Sequence, residues 1–129
     1  MNVVALAGRL SRPPEERVLD SGTRLMSMQV TVPGADGRGE TVPVAWFDPP
    51  ASAVELDEGD QVVVVGRVRR RFFRAGAATQ SRTEVVAETV VPGGRPAAVR
   101  KALTGAIDRL AGGLDAAGAK EAGRGPSRR

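Results

Sequence analysis

Residues 61–73, QVVVVGRVRRRFF, decide the fold of this chain. Read in steps of two, Val62, Val64 and Val68 fall on one side and Arg67, Arg69, Arg71 and Phe73 on the other. That is the period of a half-buried strand, not the 3.6-residue period of a helix. The same period runs outward in both directions. Residues 23–32, TRLMSMQVTV, put Met26, Met28, Val30 and Val32 on one face and Leu25, Ser27, Gln29 and Thr31 on the other, after a turn at Asp20-Ser21-Gly22. Residues 2–10, NVVALAGRL, set Val4, Leu6 and Leu10 against Val3, Ala5, Ala7 and Arg9, with a bend expected at Gly8. Residues 41–47, TVPVAWF, follow a turn signal at Asp36-Gly37 and place Val42, Val44 and Trp46 on the core parity, which leaves Phe47 outside. Residues 82–91, RTEVVAETVV, form a fifth strand that Pro92-Gly93-Gly94 closes. Between the third and fourth strands, PPASAVELDEGD has room for one or two helical turns before Gly59.

Composition narrows what such a β body does. The 129 residues suit about one domain, and 41% hydrophobic with 26% charged residues is a globular proportion. With no Cys and no His, disulfides, thiol nucleophiles, imidazole bases and Cys/His zinc sites are excluded. There is no Gly-Lys-Ser/Thr phosphate loop and no Gly-x-Ser-x-Gly elbow, so no enzyme, catalytic residue or cofactor is expected. Glu55, Asp57, Glu58 and Asp60 read as a solvated acidic loop without calcium-loop spacing, so no metal is expected either. The run VVALAG is interrupted by Arg9 and lacks a basic leader, and no stretch approaches the roughly 18 apolar residues of a membrane span. A cytoplasmic protein with no membrane partner and no small-molecule substrate is expected.

Charge is uneven. Residues 1–94 hold eleven Arg against twelve Asp and Glu, whereas residues 95–129 hold eight Lys and Arg against three acids. Within the body, Arg67, Arg69, Arg70, Arg71, Arg74 and Arg82 follow one another with no acid between them. A basic face of this kind concentrates a polyanion, and nucleic acid is the commonest one in a cell.

Five strands with a short helix between the third and fourth is the order of an all-β, five-stranded OB-fold barrel. In the same order, NVVALAGRL, PPEERV, GDQVVVVGRV and RTEVVAETVV resemble the bacterial single-stranded DNA-binding proteins over residues 2–91. The resemblance implies single-stranded DNA as partner, a role in replication, recombination or repair, and a homo-oligomer, by family default a tetramer, with a dimer open. It also implies stacking aromatics at the ends of the third and fourth strands, where Phe47 and Phe73 stand. Where the family carries further aromatics, this chain has Thr41 and Pro33-Gly34, so weaker and more salt-dependent binding is expected. The expected interface is therefore Arg67, Arg69, Arg71 and Phe73 on the fourth strand, Phe47 on the third, and Arg9, Arg74 and Arg82 in support. Arginines pair with phosphates, while a ring stacks on an unpaired base at roughly 1–3 kcal/mol per base. Phe72 is expected to pack inward, and Glu84 to pair with an arginine of a neighbouring strand.

The domain reading is 1–94 for the barrel, 95–112 for an amphipathic helix and 113–129 for a disordered basic tail. Val99, Leu103, Ile107 and Leu110 recur at helical intervals and are expected to dock on the barrel or to pair with another subunit. Family members finish in an acidic tip ending Pro-Phe; here the residues are GRGPSRR, and recruitment of repair enzymes through such a tip is not expected. Two other readings stay open: an OB-fold protein-interaction or oligomerisation module with weak nucleic-acid binding, and an RNA-binding OB protein.

Overall fold

The structure, a computed structural model, describes residues 1–123. It contains strands β1 (Val4–Leu10), β2 (Glu15–Val18), β3 (Arg24–Pro33), β4 (Gly39–Phe47), β5 (Gln61–Ala75) and β6 (Ala78–Pro92), then helix α1 (Pro96–Gly123). The five expected strands are β1, β3, β4, β5 and β6. The helical turns expected after the paired prolines are a single 3-10 turn, Ala51–Glu55. The additional strand, β2, pairs antiparallel with β3, Glu15 to Ser27 and Arg17 to Leu25. All four of its residues are exposed, so no apolar alternation marks it in the sequence.

Hydrogen-bonded neighbours run β1-β5-β6-β4-β3-β2, and β1 also meets β3 at Arg9–Thr31 and Leu10–Val30, so the ladder returns to its first strand. The β4–β6 contact, Val44–Trp46 beside Val85–Ala87, is parallel; the other pairs are antiparallel. Period two then fills the interior: Met26, Met28 and Val30 from β3, Val44 and Trp46 from β4, and Val62 and Val64 from β5 share one core with Leu10. Gly8 sits where β1 passes from β5 to β3, and a Cβ there would collide with the Thr31 carbonyl.

β6 breaks the period. Val65 pairs with Thr89 but Gly66 pairs with Ala87, which leaves Glu88 as the unpaired residue of a bulge. The bulge lets Val90, Ala87 and Val85 all reach the core although they do not share a parity. Gly66 is required at this crossing because a Cβ would meet the Val86 carbonyl oxygen.

Past Gly66, β5 has no partner on its β1 side. The Asn2 side chain closes that ladder by accepting from the Val68 N–H at 2.7 Å and donating to the Val68 carbonyl at 2.8 Å. Beyond it, β5 and β6 continue alone as a two-stranded ribbon to Ala75 and Ala78. Gly76 supplies the left-handed backbone (φ 64°) of the tight turn between them. The fourth strand was expected to end at Phe73 and the fifth to begin at Arg82, so the ribbon is longer than its sequence suggests. Val68, expected inside with Val62 and Val64, is exposed because β5 has passed the end of β1 at that point, although its cross-strand neighbour Val85 still reaches the core.

Helix α1 continues past Gly112 to Gly123, a correction to the tail expected from residue 113; residues 124–129 of that tail lie outside the described residues. α1 packs over β5, β6 and β1 and covers Val63 and Val65, which point away from the core yet are buried. Its inner face is built from Ala98, Ala102 and Ala106 with Val99, small side chains that let the helix lie close to the sheet. Leu103, Ile107 and Leu110 are instead exposed, Ile107 by 65%.

Candidate nucleic-acid interface

The outward residues of the sheet form the floor of a cleft. Leu25, Ser27 and Gln29 of β3 lie directly opposite Phe47, Ala45 and Pro43 of β4, and all six line it. β2 forms one wall and the base of the β5–β6 ribbon the other, enclosing about 440 Å³. Arg12, Arg17, Arg69, Arg71 and Arg82 reach into it, against Glu15, Glu16 and Glu84.

Each ring is placed by backbone geometry. Trp46 and Phe47 are consecutive, so one enters the core and the other faces the cleft. After Phe47 the chain turns through Asp48, whose backbone is left-handed (φ 48°). The Asp48 N–H donates to the Arg24 carbonyl at 2.7 Å, and its carboxylate accepts from the Arg24 N–H at 3.0 Å. These bonds tie the end of β4 to the start of β3 and hold Phe47 at the cleft edge. On the ribbon, Arg69, Arg71 and Phe73 share a face, and Arg71 stands 5.7 Å from the Phe73 ring centroid. Arg82, directly across from Arg71, shares that face. Among the described residues, neither Arg71 nor Arg82 has a carboxylate within ion-pair distance.

Arg69 differs. Its Nε and Nη2 donate to the Glu84 Oε2 at 3.0 and 2.8 Å, and its guanidinium lies 5.4 Å from the Phe47 ring centroid. The arginine partner expected for Glu84 is therefore its cross-strand neighbour.

Of the eight residues expected at the interface, Phe47, Arg69, Arg71 and Arg82 meet in the cleft, and Phe73 adjoins it beside Arg71. Arg67 has the same parity but pairs with Val86 and does not line the cleft. Arg74 lies on the opposite face of the ribbon, with Arg70 and Phe72. Phe72, expected to pack inward, is 68% exposed, because at that height the ribbon has no core beneath it. Arg9 lies at the end of β1 opposite Gln61 and Thr31, beside a separate shallow depression. Arg12 and Arg17 escaped the sequence reading because they are brought to the cleft by β2, and the four residues of that strand carry no periodic signal.

The open sheet face thus gathers five arginines around the half-buried ring of Phe47, with the half-buried ring of Phe73 beside it. The chain belongs to the single-strand binding protein family, whose model matches residues 1–92. OB-fold architecture and, in general terms, single-stranded DNA binding come with that membership. A search of curated proteins found no match.

Proposed function

We propose that this protein is a non-catalytic binder of single-stranded DNA without strong sequence preference, acting in cytoplasmic replication, recombination or repair. The ring of strand pairings is read as a five-stranded OB barrel with β2 attached at its rim. An unpaired strand lies across β3 and β4 and runs along the ribbon. Arg71 and Arg82 meet its phosphates, with Arg12 and Arg17 on the opposite wall, and Phe73 stacks on a base. One observation carries this: Arg71, Phe73 and Arg82 share one face of the ribbon, with no acid paired to either arginine among the described residues.

The test is fluorescence anisotropy of a labelled oligo-dT against a duplex of equal length at low and moderate salt. Clear preference for the single strand is expected; equal weak binding to both would reduce the arginines to a nonspecific charge patch and promote the protein-interaction reading.

A homo-oligomer is part of the proposal, and α1 supplies a surface for it. Leu103, Ile107, Leu110 and Leu114 form an exposed stripe whose spacing reads the same in both directions. Two copies related by a two-fold axis therefore match Leu103 with Leu114 and Ile107 with Leu110.

A further inference from the structure

A carboxylate buried in a cleft that collects a polyanion is out of place unless it holds something. Glu84 is 6% exposed, the one charged residue fully buried among the described residues, and it lines the cleft. What it holds is Arg69, by two hydrogen bonds from the directly opposite position on β5. Arg69 is thereby neutralised and fixed. One side of its guanidinium lies over Phe47, while the side chain lines the cleft and stays 31% exposed. Arg71, two residues along the same face, also sits over a phenylalanine, but its cross-strand neighbour is Arg82 and not an acid. The two Arg–Phe pairs thus differ in one respect: the first is pinned by a carboxylate and the second is free to swing.

We propose that Arg69 is a stacking platform for an unpaired nucleobase, held in place by Glu84 and backed by Phe47, and that it makes no phosphate contact. The assignment rests on the reading that the cleft takes a single strand. A guanidinium is planar, delocalised and weakly hydrated, and its faces stack on rings and bases while its edge donates hydrogen bonds. Here the Nε–Nη2 edge is held by Glu84 and one side of the plane lies over Phe47, which leaves the cleft side of the plane for a base. Glu84 is then a positioning residue. The pairing has a measurable consequence. An arginine already neutralised by the protein releases no counterion when DNA arrives, whereas each arginine that meets a phosphate of a single strand adds about 0.7 to the slope of log affinity against log salt.

The experiment is an oligo-dT titration by anisotropy between about 50 and 200 mM salt, on the unmodified chain and on Arg69→Lys, Glu84→Gln and Arg71→Ala. Lysine keeps the charge and the partner but not the plane, so Arg69→Lys is expected to weaken binding roughly 5- to 150-fold at every salt concentration, with the slope unchanged. Arg71→Ala is expected to lower the slope by about 0.7, and Glu84→Gln, which frees Arg69 as a cation, to steepen it by up to that amount. Glutamine has the shape of glutamate and keeps an acceptor oxygen for Arg69, so Glu84→Gln tests the idea even if Arg69→Lys loosens the ribbon. Arg69→Lys binding like the unmodified chain, or Glu84→Gln leaving the slope in place, would overturn the assignment while single-strand preference stood. Loss of that preference in the unmodified chain would remove the reading beneath it, and the platform with it.

Discussion

Replacing Phe73 with alanine separates ligand binding from folding more cleanly than any other change in this protein. Phe73 lies on the ribbon, outside the shared core, and the aromatic contact it makes within the fold is with the Arg71 guanidinium at 5.7 Å. The ring is half-buried, so beyond the about 0.5–1 kcal/mol of a cation over a ring Phe73→Ala loses part of the roughly 1.5–3 kcal/mol of a fully buried side chain, in all about 1–2 kcal/mol. For a domain of this size the melting temperature then falls by about 4–16 °C. Trp46 sets the opposite scale: it is buried in the core, and truncating a buried aromatic costs about 3–5 kcal/mol. Losing a base stack worth roughly 1–3 kcal/mol raises the Kd for oligo-dT roughly 5- to 150-fold. Phe72→Ala is the matched control, one residue away on the ribbon's other face, and is expected to leave the Kd within about twofold. The assays are anisotropy with oligo-dT and a thermal melt by circular dichroism. Collapse of the fold in Phe73→Ala, or equal losses of affinity in both variants, would refute the placement of this ring as a ligand contact.

Other changes probe the remaining elements. Gly66→Ala forces a Cβ onto the Val86 carbonyl and is expected to cost about 1–3 kcal/mol in a urea melt; an unchanged midpoint would mean that the β5–β6 crossing is looser than described. Arg12→Ala and Arg17→Ala should each lower the salt slope of oligo-dT binding by about 0.7, and slopes equal to that of the unmodified chain would remove β2 from the interface. Ile107→Glu places a charge in the centre of the exposed α1 stripe and is expected to lower the mass seen in sedimentation without lowering the melting temperature of the barrel. An unchanged mass would assign self-association to another surface.

The alternation of Met26, Met28 and Val30, and of Val62 and Val64, is local information, and so is the parity that sends Trp46 inward and leaves Phe47 outside. Side chains two apart on a strand share a face whatever the strand pairs with, so the sequence by itself determined the core, the strand order in the chain and the outward ring at the end of β4. It also carried the unbroken run of arginines and the need of Glu84 for an arginine partner. Cross-strand register is another matter, because backbone hydrogen bonds between distant segments set it and no local period records it. Tertiary structure alone chose Arg69 for Glu84 and Arg82 for Arg71, and it drew Arg12 and Arg17 to the cleft through a four-residue strand with no apolar face. The bulge at Glu88 changed the parity of β6 partway along, which a reading in steps of two does not follow. Phe72 shows the same limit: its parity is that of the core, but the ribbon has outrun the core by then, so the side chain that alternation sends inward meets solvent. On α1, alanines lie closer to the sheet than leucines can, so the small residues took the buried side and the large apolar ones were left facing out.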